Sequence, residues 1–198
     1  MGSSKLFLTE LAVDDDSLVR ELYFWESIET EKERFTCRPV NPPLDFSQYA
    51  QRLIKRLEAR AIRMFVLQSA DNPGSAMGKV NCFDYNPRNQ SAEFGYYLPA
   101  RTRGKGLGIT MLQMFLDRMF NDPEMIISKM YATTASGNLP SVKLLKRLGF
   151  HLDGIIREHY WFGDERQDQL HFSILKKEFL NFRSKTNGTT FKPDAVKY

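Results

Sequence analysis

Three cations and three glycines interleave in one stretch, Leu98-Pro99-Ala100-Arg101-Thr102-Arg103-Gly104-Lys105-Gly106-Leu107-Gly108-Ile109. The apolar-aromatic run Phe94-Gly95-Tyr96-Tyr97-Leu98 precedes it, and a long apolar run to about Phe120 follows. This order predicts a strand that feeds a glycine-rich turn into a helix N-terminus. Such a junction holds phosphate, because the first backbone N–H groups of a helix lack partners and its dipole favours negative charge there. The common nucleotide loops do not fit. A P-loop has Lys-Ser/Thr directly after its last glycine, whereas Ile109-Thr110 follows Gly108. The dinucleotide pattern G-x-G-x-x-G fails as well. Counted from Gly104 or Gly106, its last glycine position holds Ile109 or Met111. What remains is Arg103-x-x-Gly106-x-Gly108, a turn that binds an anion or simply caps a helix.

The elements around this turn follow from periodicity and turn residues. Residues 5–12 alternate as a first strand. Asp14-Asp15-Asp16-Ser17 supplies N-cap candidates for a helix through Leu18, Val19, Leu22, Tyr23 and Trp25. The charged, proline-ended residues 26–43 read as a loop or short helix over one end of the sheet. Asp45 opens a second helix to about Ala59. Strands follow at Ile62–Ser69, Ala76–Phe83 and Ser91–Leu98, the first two joined by the turn Asp71-Asn72-Pro73-Gly74. Met111, Leu112, Met114, Phe115, Leu116 and Met119 make the next helix almost wholly apolar, and its methionines read as core filling. A strand over Met125–Thr134 comes next, then a helix opened by Asn138-Leu139-Pro140-Ser141, and then strands over 151–162 and 167–176. The polar tail from about Lys185 is expected to be mobile or draped over the surface.

Composition narrows the function classes. A chain of 198 residues with 42% hydrophobic and 13% aromatic content fits one domain with a real core. The net charge of +4 suits an anionic ligand, but no basic tract or recognition module points to nucleic acid. Cys37 and Cys82 are isolated, and His151, His159 and His171 are scattered, so neither a disulfide framework nor a metal spacing is visible. No run approaches the ~20 apolar residues of a membrane span, and no apolar leader follows Met1. The expected location is the cytoplasm, without membrane, nucleic-acid or metal partners.

Three motifs together resemble one family. Arg103-x-x-Gly106-x-Gly108 resembles the acyl-CoA pyrophosphate loop of the GNAT superfamily of N-acetyltransferases. Asn138-x-x-Ser141, followed by Leu144-Leu145-Lys146-Arg147-Leu148-Gly149-Phe150, resembles its second cofactor helix. Ala92-Glu93-Phe94-Gly95-Tyr96, with Gly154–Glu158, Gly163 and Asp168, looks like the RimJ/RimL type. The resemblance covers residues 5–180. It implies an α/β (α+β) fold, a mixed and mostly antiparallel twisted sheet of about seven strands flanked by about four helices. It also implies a single domain over 1–184 and a C-terminal tail over 185–198.

The resemblance implies acetyl-CoA as co-substrate and no metal. Cofactor contacts fall on Tyr97, Leu98, Arg103, Gly104, Lys105, Gly106, Leu107, Gly108, Asn138 and Ser141. A backbone N–H near Tyr97 or Leu98 would polarise the thioester carbonyl. The implied reaction is direct attack by a neutral amine. Glu93 on the cofactor strand is the candidate base, with Glu26, Glu29 and Glu31 in the candidate acceptor segment. Many GNAT enzymes place a tyrosine acid where this chain has Leu145. Ser141 is the candidate that hydrogen-bonds the leaving sulfur instead, and Tyr160 is a weaker substitute. The acceptor implied by the RimJ/RimL likeness is a peptide or protein N-terminus. The alternatives are a small amine (polyamine, amino acid or aminoglycoside) or a non-catalytic acyl-CoA-binding module. A homodimer is the assembly considered.

Overall fold

The structure is a computed structural model that describes residues 5–29 and 45–186. Of the segment expected as a loop or short helix over 26–43, residues 26–28 end α1, and residues 30–43, with Glu31 and Cys37, lie outside the described residues, as does the tail beyond residue 186. In chain order the elements are β1 (Leu6–Glu10), α1 (Asp16–Ile28), α2 (Phe46–Glu58), β2 (Ile62–Ser69), β3 (Gly78–Asn86) and β4 (Ser91–Tyr97). A 3-10 turn (Ala100–Thr102) leads to α3 (Leu107–Phe120), β5 (Lys129–Ala135), α4 (Leu139–Arg147), β6 (His151–Phe162), β7 (Glu165–Leu175) and α5 (Lys176–Thr186). The expected α/β class with a seven-stranded sheet is the one observed. The caps are where the sequence puts them: Asp15 accepts from Leu18 N at 3.0 Å and Asp45 from Gln48 N at 2.8 Å.

α5 is an element beyond the four helices expected. Its residues are mostly polar, and Phe179, fully buried, anchors it to the core. Glu178 accepts from Leu175 N at 2.8 Å, and Arg183 pairs with Asp117 of α3. Tertiary contacts of this kind leave little periodic trace in a sequence. The helix runs to Thr186, two residues past the boundary expected for the domain.

The sheet order is β1-β2-β3-β4-β5-β7-β6. Every pair is antiparallel except β4 with β5. That parallel pair is short: Ser91↔Lys129, Ala92↔Met130 and Glu93↔Tyr131. Past Glu93 both strands continue without pairing to each other, so a wedge opens between them. The connection between parallel strands needs a crossover, and α3 supplies it. The phosphate-type loop therefore stands at the mouth of the wedge.

Two apolar cores hold the sheet. On one face α1 and α2 bury Leu18, Val19, Leu22, Trp25 and Leu53 against Ile62, Met64 and Val66. On the other, Met111, Leu112, Phe115, Leu116 and Met119 of α3 pack on Phe65, Leu67, Val80, Phe94 and Met130. β2 faces both cores, which explains the continuous apolar run from Met64 to Leu67. Met111 and Met119 are fully buried, as core filling requires. Among the described residues no helix is long and apolar enough to cross a membrane.

Candidate active site

The loop after β4 owes its shape to two left-handed residues. Gly104 has φ +74° and Gly106 φ +76°. A Cβ at either position would meet nothing within 4 Å, so these glycines are needed for their backbone angle and the space above them is open. Gly106 is also the N-cap of α3 and offers no side-chain cap. A 14-residue helix thus begins uncapped towards open space, with its dipole pointing out of the loop. Gly108 has a different task. A Cβ there would stand 3.0 Å from Leu144 and 3.3 Å from Leu98, so its absence lets α3 close on α4 and the end of β4. The uncapped helix start and the wedge form one continuous feature, and it fits a polyanion with an extended arm.

The three loop cations do different things. Arg101 Nη2 reaches Glu21 Oε1 at 2.6 Å and Ala76 O at 2.9 Å. Arg103 Nε donates to Leu98 O at 2.7 Å, and its Nη2 to Glu29 Oε2 at 3.0 Å. Tyr97 Oη donates to the same Glu29 oxygen at 2.7 Å. Burial pushes the Tyr97 phenol up, with the Glu29 carboxylate adding to it, to about 12. Arg101 and Arg103 thus tie the loop to α1, whereas Lys105 is exposed. One turn away on α1, Glu26 pairs with Lys79 at 3.1 Å. Glu26 and Glu29, considered from sequence as groups for the amine, both already face a cation.

On the α3 face of the wedge, Tyr96 Oη lies 2.7 Å from Ser141 Oγ. Asn138 is the N-cap of α4, and its Oδ1 accepts from Ser141 N at 3.3 Å. The two expected cofactor residues of this helix therefore sit in one turn, against β4. Leu145 is fully buried in the core. Tyr96, next to the expected Tyr97, is the β4 residue that reaches Ser141. Strand alternation carried the signal, since Ala92, Phe94 and Tyr96 share the face packed against α3.

The opposite face carries Glu93, Gly95 and Tyr97. Thr133 Oγ1 on β5 donates to Glu93 Oε1 at 3.3 Å. Thr133 is in register with His171 of β7, and His171 Nε2 is 2.7 Å from Gln169 Oε1. Gln169 Nε2 in turn donates to Tyr160 Oη. A polar row thus runs from Glu93 across β5 and β7 to Tyr160 on β6. His171 was among the scattered histidines of the sequence, and only the β5–β7 register brings it near Glu93. Tyr160 is held by Gln169 at the far end of this row. Asn81 is in register with Gly95, and its Oδ1 is buried without a hydrogen-bond partner among the described residues.

Comparison with known proteins agrees with this geometry. Residues 5–151 match the Acetyltransferase (GNAT) domain. The uncharacterized N-acetyltransferase p20 of Bacillus licheniformis is 26% identical over 182 residues, covering 89% of this chain and 96% of that protein. The uncharacterized N-acetyltransferase YokL of Bacillus subtilis is 31% identical over 127 residues, 63% of this chain and 68% of that protein. Among solved structures, mutant forms of the spermidine/spermine N-acetyltransferase SpeG from Vibrio cholerae superpose with a TM-score of 0.73 at 26% identity, covering 90% of this chain and 98% of that one. With the wedge, the uncapped loop and the family match together, this chain belongs to the GNAT acetyltransferase family and is an N-acetyltransferase that uses acetyl-CoA.

Proposed function

We propose that the acceptor is a single α-amino group, such as a peptide or protein N-terminus, reached from the α1 face of the wedge. The observation that carries this reading is that, among the described residues of the acceptor segment, Glu26 pairs with Lys79 and Glu29 with Arg103. A polyamine has several ammonium groups and needs several carboxylates without cations of their own. An α-amino group has a reference pKa of ≈ 7.7–8.0 and loses its proton far more readily than an alkylamine near ≈ 10.4. One carboxylate is then enough as base. The motif Ala92–Tyr96, which resembles the RimJ/RimL type, supports the same acceptor class.

Acetyl-CoA supplies an activated acetyl group on sulfur. The chain's own residues then have separable tasks. N–H groups of Gly106, Leu107 and Gly108 at the start of α3 face the pyrophosphate. Backbone at Tyr97 and Leu98 lines the arm and receives the charge that develops on the carbonyl oxygen. Glu93, steadied by Thr133, takes the proton from the amine, directly or through a water. The Phe83 ring packs 3.5 Å from where a Cβ of Gly95 would stand, and Asn81 Oδ1, in register with Gly95, is a buried acceptor without a hydrogen-bond partner among the described residues. Ser141 faces the sulfur side.

A second reading rests on the SpeG likeness, namely acetylation of a spermidine-like polyamine. One assay separates the two. The protein is incubated with acetyl-CoA and, in turn, N-terminal peptides, free amino acids, spermidine and an α-blocked lysine, and CoA thiol release is followed. Peptides or amino acids with a free α-amine are expected to be the best acceptors. A clear preference for spermidine, with α-amines inert, would overturn the proposal.

A further inference from the structure

Tyr96 and Ser141 are 45 residues apart in the chain and meet across the wedge. Tyr96 lies three residues beyond the last β4–β5 pair, and Ser141 lies in the first turn of the helix that follows β5. Their 2.7 Å bond therefore ties β4, past its last pair with β5, to the start of α4, at the inner end of the wedge where an acyl-CoA arm would come to rest. The phenol ring is held from below. Phe94 stacks on it at 6.2 Å, and Phe115 and Phe150 pack on Phe94 at 5.6 and 5.5 Å. Burial pushes the Tyr96 phenol up to about 12, with the Ser141 hydrogen bond acting the other way and no charged side chain taking part. This hydroxyl keeps its proton through the neutral range. A serine hydroxyl has one hydrogen to give and two lone pairs to receive. When Tyr96 donates to Ser141 Oγ, the serine hydrogen must turn away from Tyr96.

We propose that Tyr96 is a positioning residue: its O–H donates to Ser141 Oγ and aims the Ser141 O–H at the sulfur that leaves during acetyl transfer. The inference rests on the acyl-CoA reading of the wedge. In the step, the amine nitrogen forms the N–C bond, and the C–S bond breaks with its electron pair passing to sulfur. The proton from nitrogen goes to the base, and the sulfur leaves as a thiolate that takes its proton from water. Tyr96 and Ser141 supply hydrogen bonds, not that proton. A phenol of this kind holds its proton more tightly than a thiol, whose reference pKa is ≈ 8.5. Two hydroxyls in series polarise one another, so the outer one binds an anion more strongly than it would alone.

The test needs no acceptor. CoA is bound to the whole protein, and its thiol is titrated by the ultraviolet band of the thiolate. Wild type, Tyr96→Phe, Ser141→Ala and the double variant are compared, the Phe variant keeping the ring packed on Phe94. The bound thiol of the wild type should titrate below free CoA. Tyr96→Phe should raise that value by about one pH unit, and Ser141→Ala by at least as much. The double variant should match Ser141→Ala, since Tyr96 acts through the serine. The inference is overturned if Tyr96→Phe titrates like wild type, if the two changes add, or if Ser141→Ala has no effect on bound CoA. Failure of the wild type to bind CoA at all would strike the reading of the wedge itself.

Discussion

Glu93 sits at an interior register position, between Phe83 of β3 and Tyr131 of β5, on the face that α1 and α2 cover. A carboxylate fixed there by Thr133 can meet an amine only from that face. Glu93→Gln tests its role with little structural disturbance. The amide keeps the size and still accepts from Thr133, but it cannot take a proton. We expect turnover to fall about 100-fold while CoA affinity changes by less than about twofold. The sign of the pH effect follows from the chemistry. A base works only when ionised, so the wild-type rate drops as pH falls through the carboxylate's titration, and this limb disappears in Glu93→Gln. A pH–rate profile identical to wild type would remove Glu93 as the base.

At the scale of elements, the loop and α1 act as one unit. Arg103 bonds both Leu98 O and Glu29, and Arg101 bonds Glu21, so two arginines of a turn shaped for an anion are directed at a helix. Lys105, exposed on the loop, is the cation we propose to meet phosphate. Lys105→Ala should weaken CoA binding several-fold and make it less salt-dependent, as loss of one cation–phosphate contact requires. Arg103→Gln should instead lower stability by about 1–2 kcal/mol, because it takes a cation from the mostly buried Glu29 carboxylate, which keeps the Tyr97 hydroxyl, and leave the salt dependence of CoA binding unchanged. Calorimetric titration at several ionic strengths distinguishes them, and a flatter salt dependence in Arg103→Gln would return that arginine to the phosphate. The turn itself was legible in the sequence because it is local: Gly104 and Gly106 need positive φ, and α3 shows its periodicity. So were β2–β4, whose turns lie within a few residues. The partners Arg103–Glu29 and Tyr96–Ser141, 74 and 45 residues apart, were not, because chain folding alone brings them together. The polar helix α5 was hidden for a related reason, since its stability comes from Phe179 and from α3 and not from its own pattern.

The whole molecule needs a rigid sheet to hold a wedge open, and the edge opposite the β6–β7 hairpin is fastened by one charged cluster. Arg63 of β2 bonds Glu10 of β1 at 2.6 and 2.8 Å and Asp122, just after α3, at 2.7 Å. It thereby ties two strands to the far end of the helix whose start forms the loop. Asp122 is only 3% exposed, and its Oδ1 also accepts from Glu124 N at 2.9 Å and Met125 N at 3.0 Å. Burial pushes this carboxyl up, but the hydrogen bonds from Arg63 and the two backbone N–H groups outweigh it and leave it below the ordinary carboxylate range. A native carboxylate held low contributes stability that is fully present above its unfolded pKa, about 3.9, and is lost as pH falls towards the folded value. Asp122→Asn keeps the turn through its amide oxygen and removes the charge beside Arg63. It should cost about 2–3 kcal/mol at pH 7, since Arg63 retains Glu10. The deficit relative to wild type should shrink as pH drops below about 4, because the unfolded wild-type chain then takes up a proton at Asp122 while the native carboxylate is still ionised. Urea unfolding at pH 7, 4 and 3 measures this directly. Two stability curves that stay parallel down to pH 3 would mean that the Asp122 charge does not help to fasten α3 to the sheet.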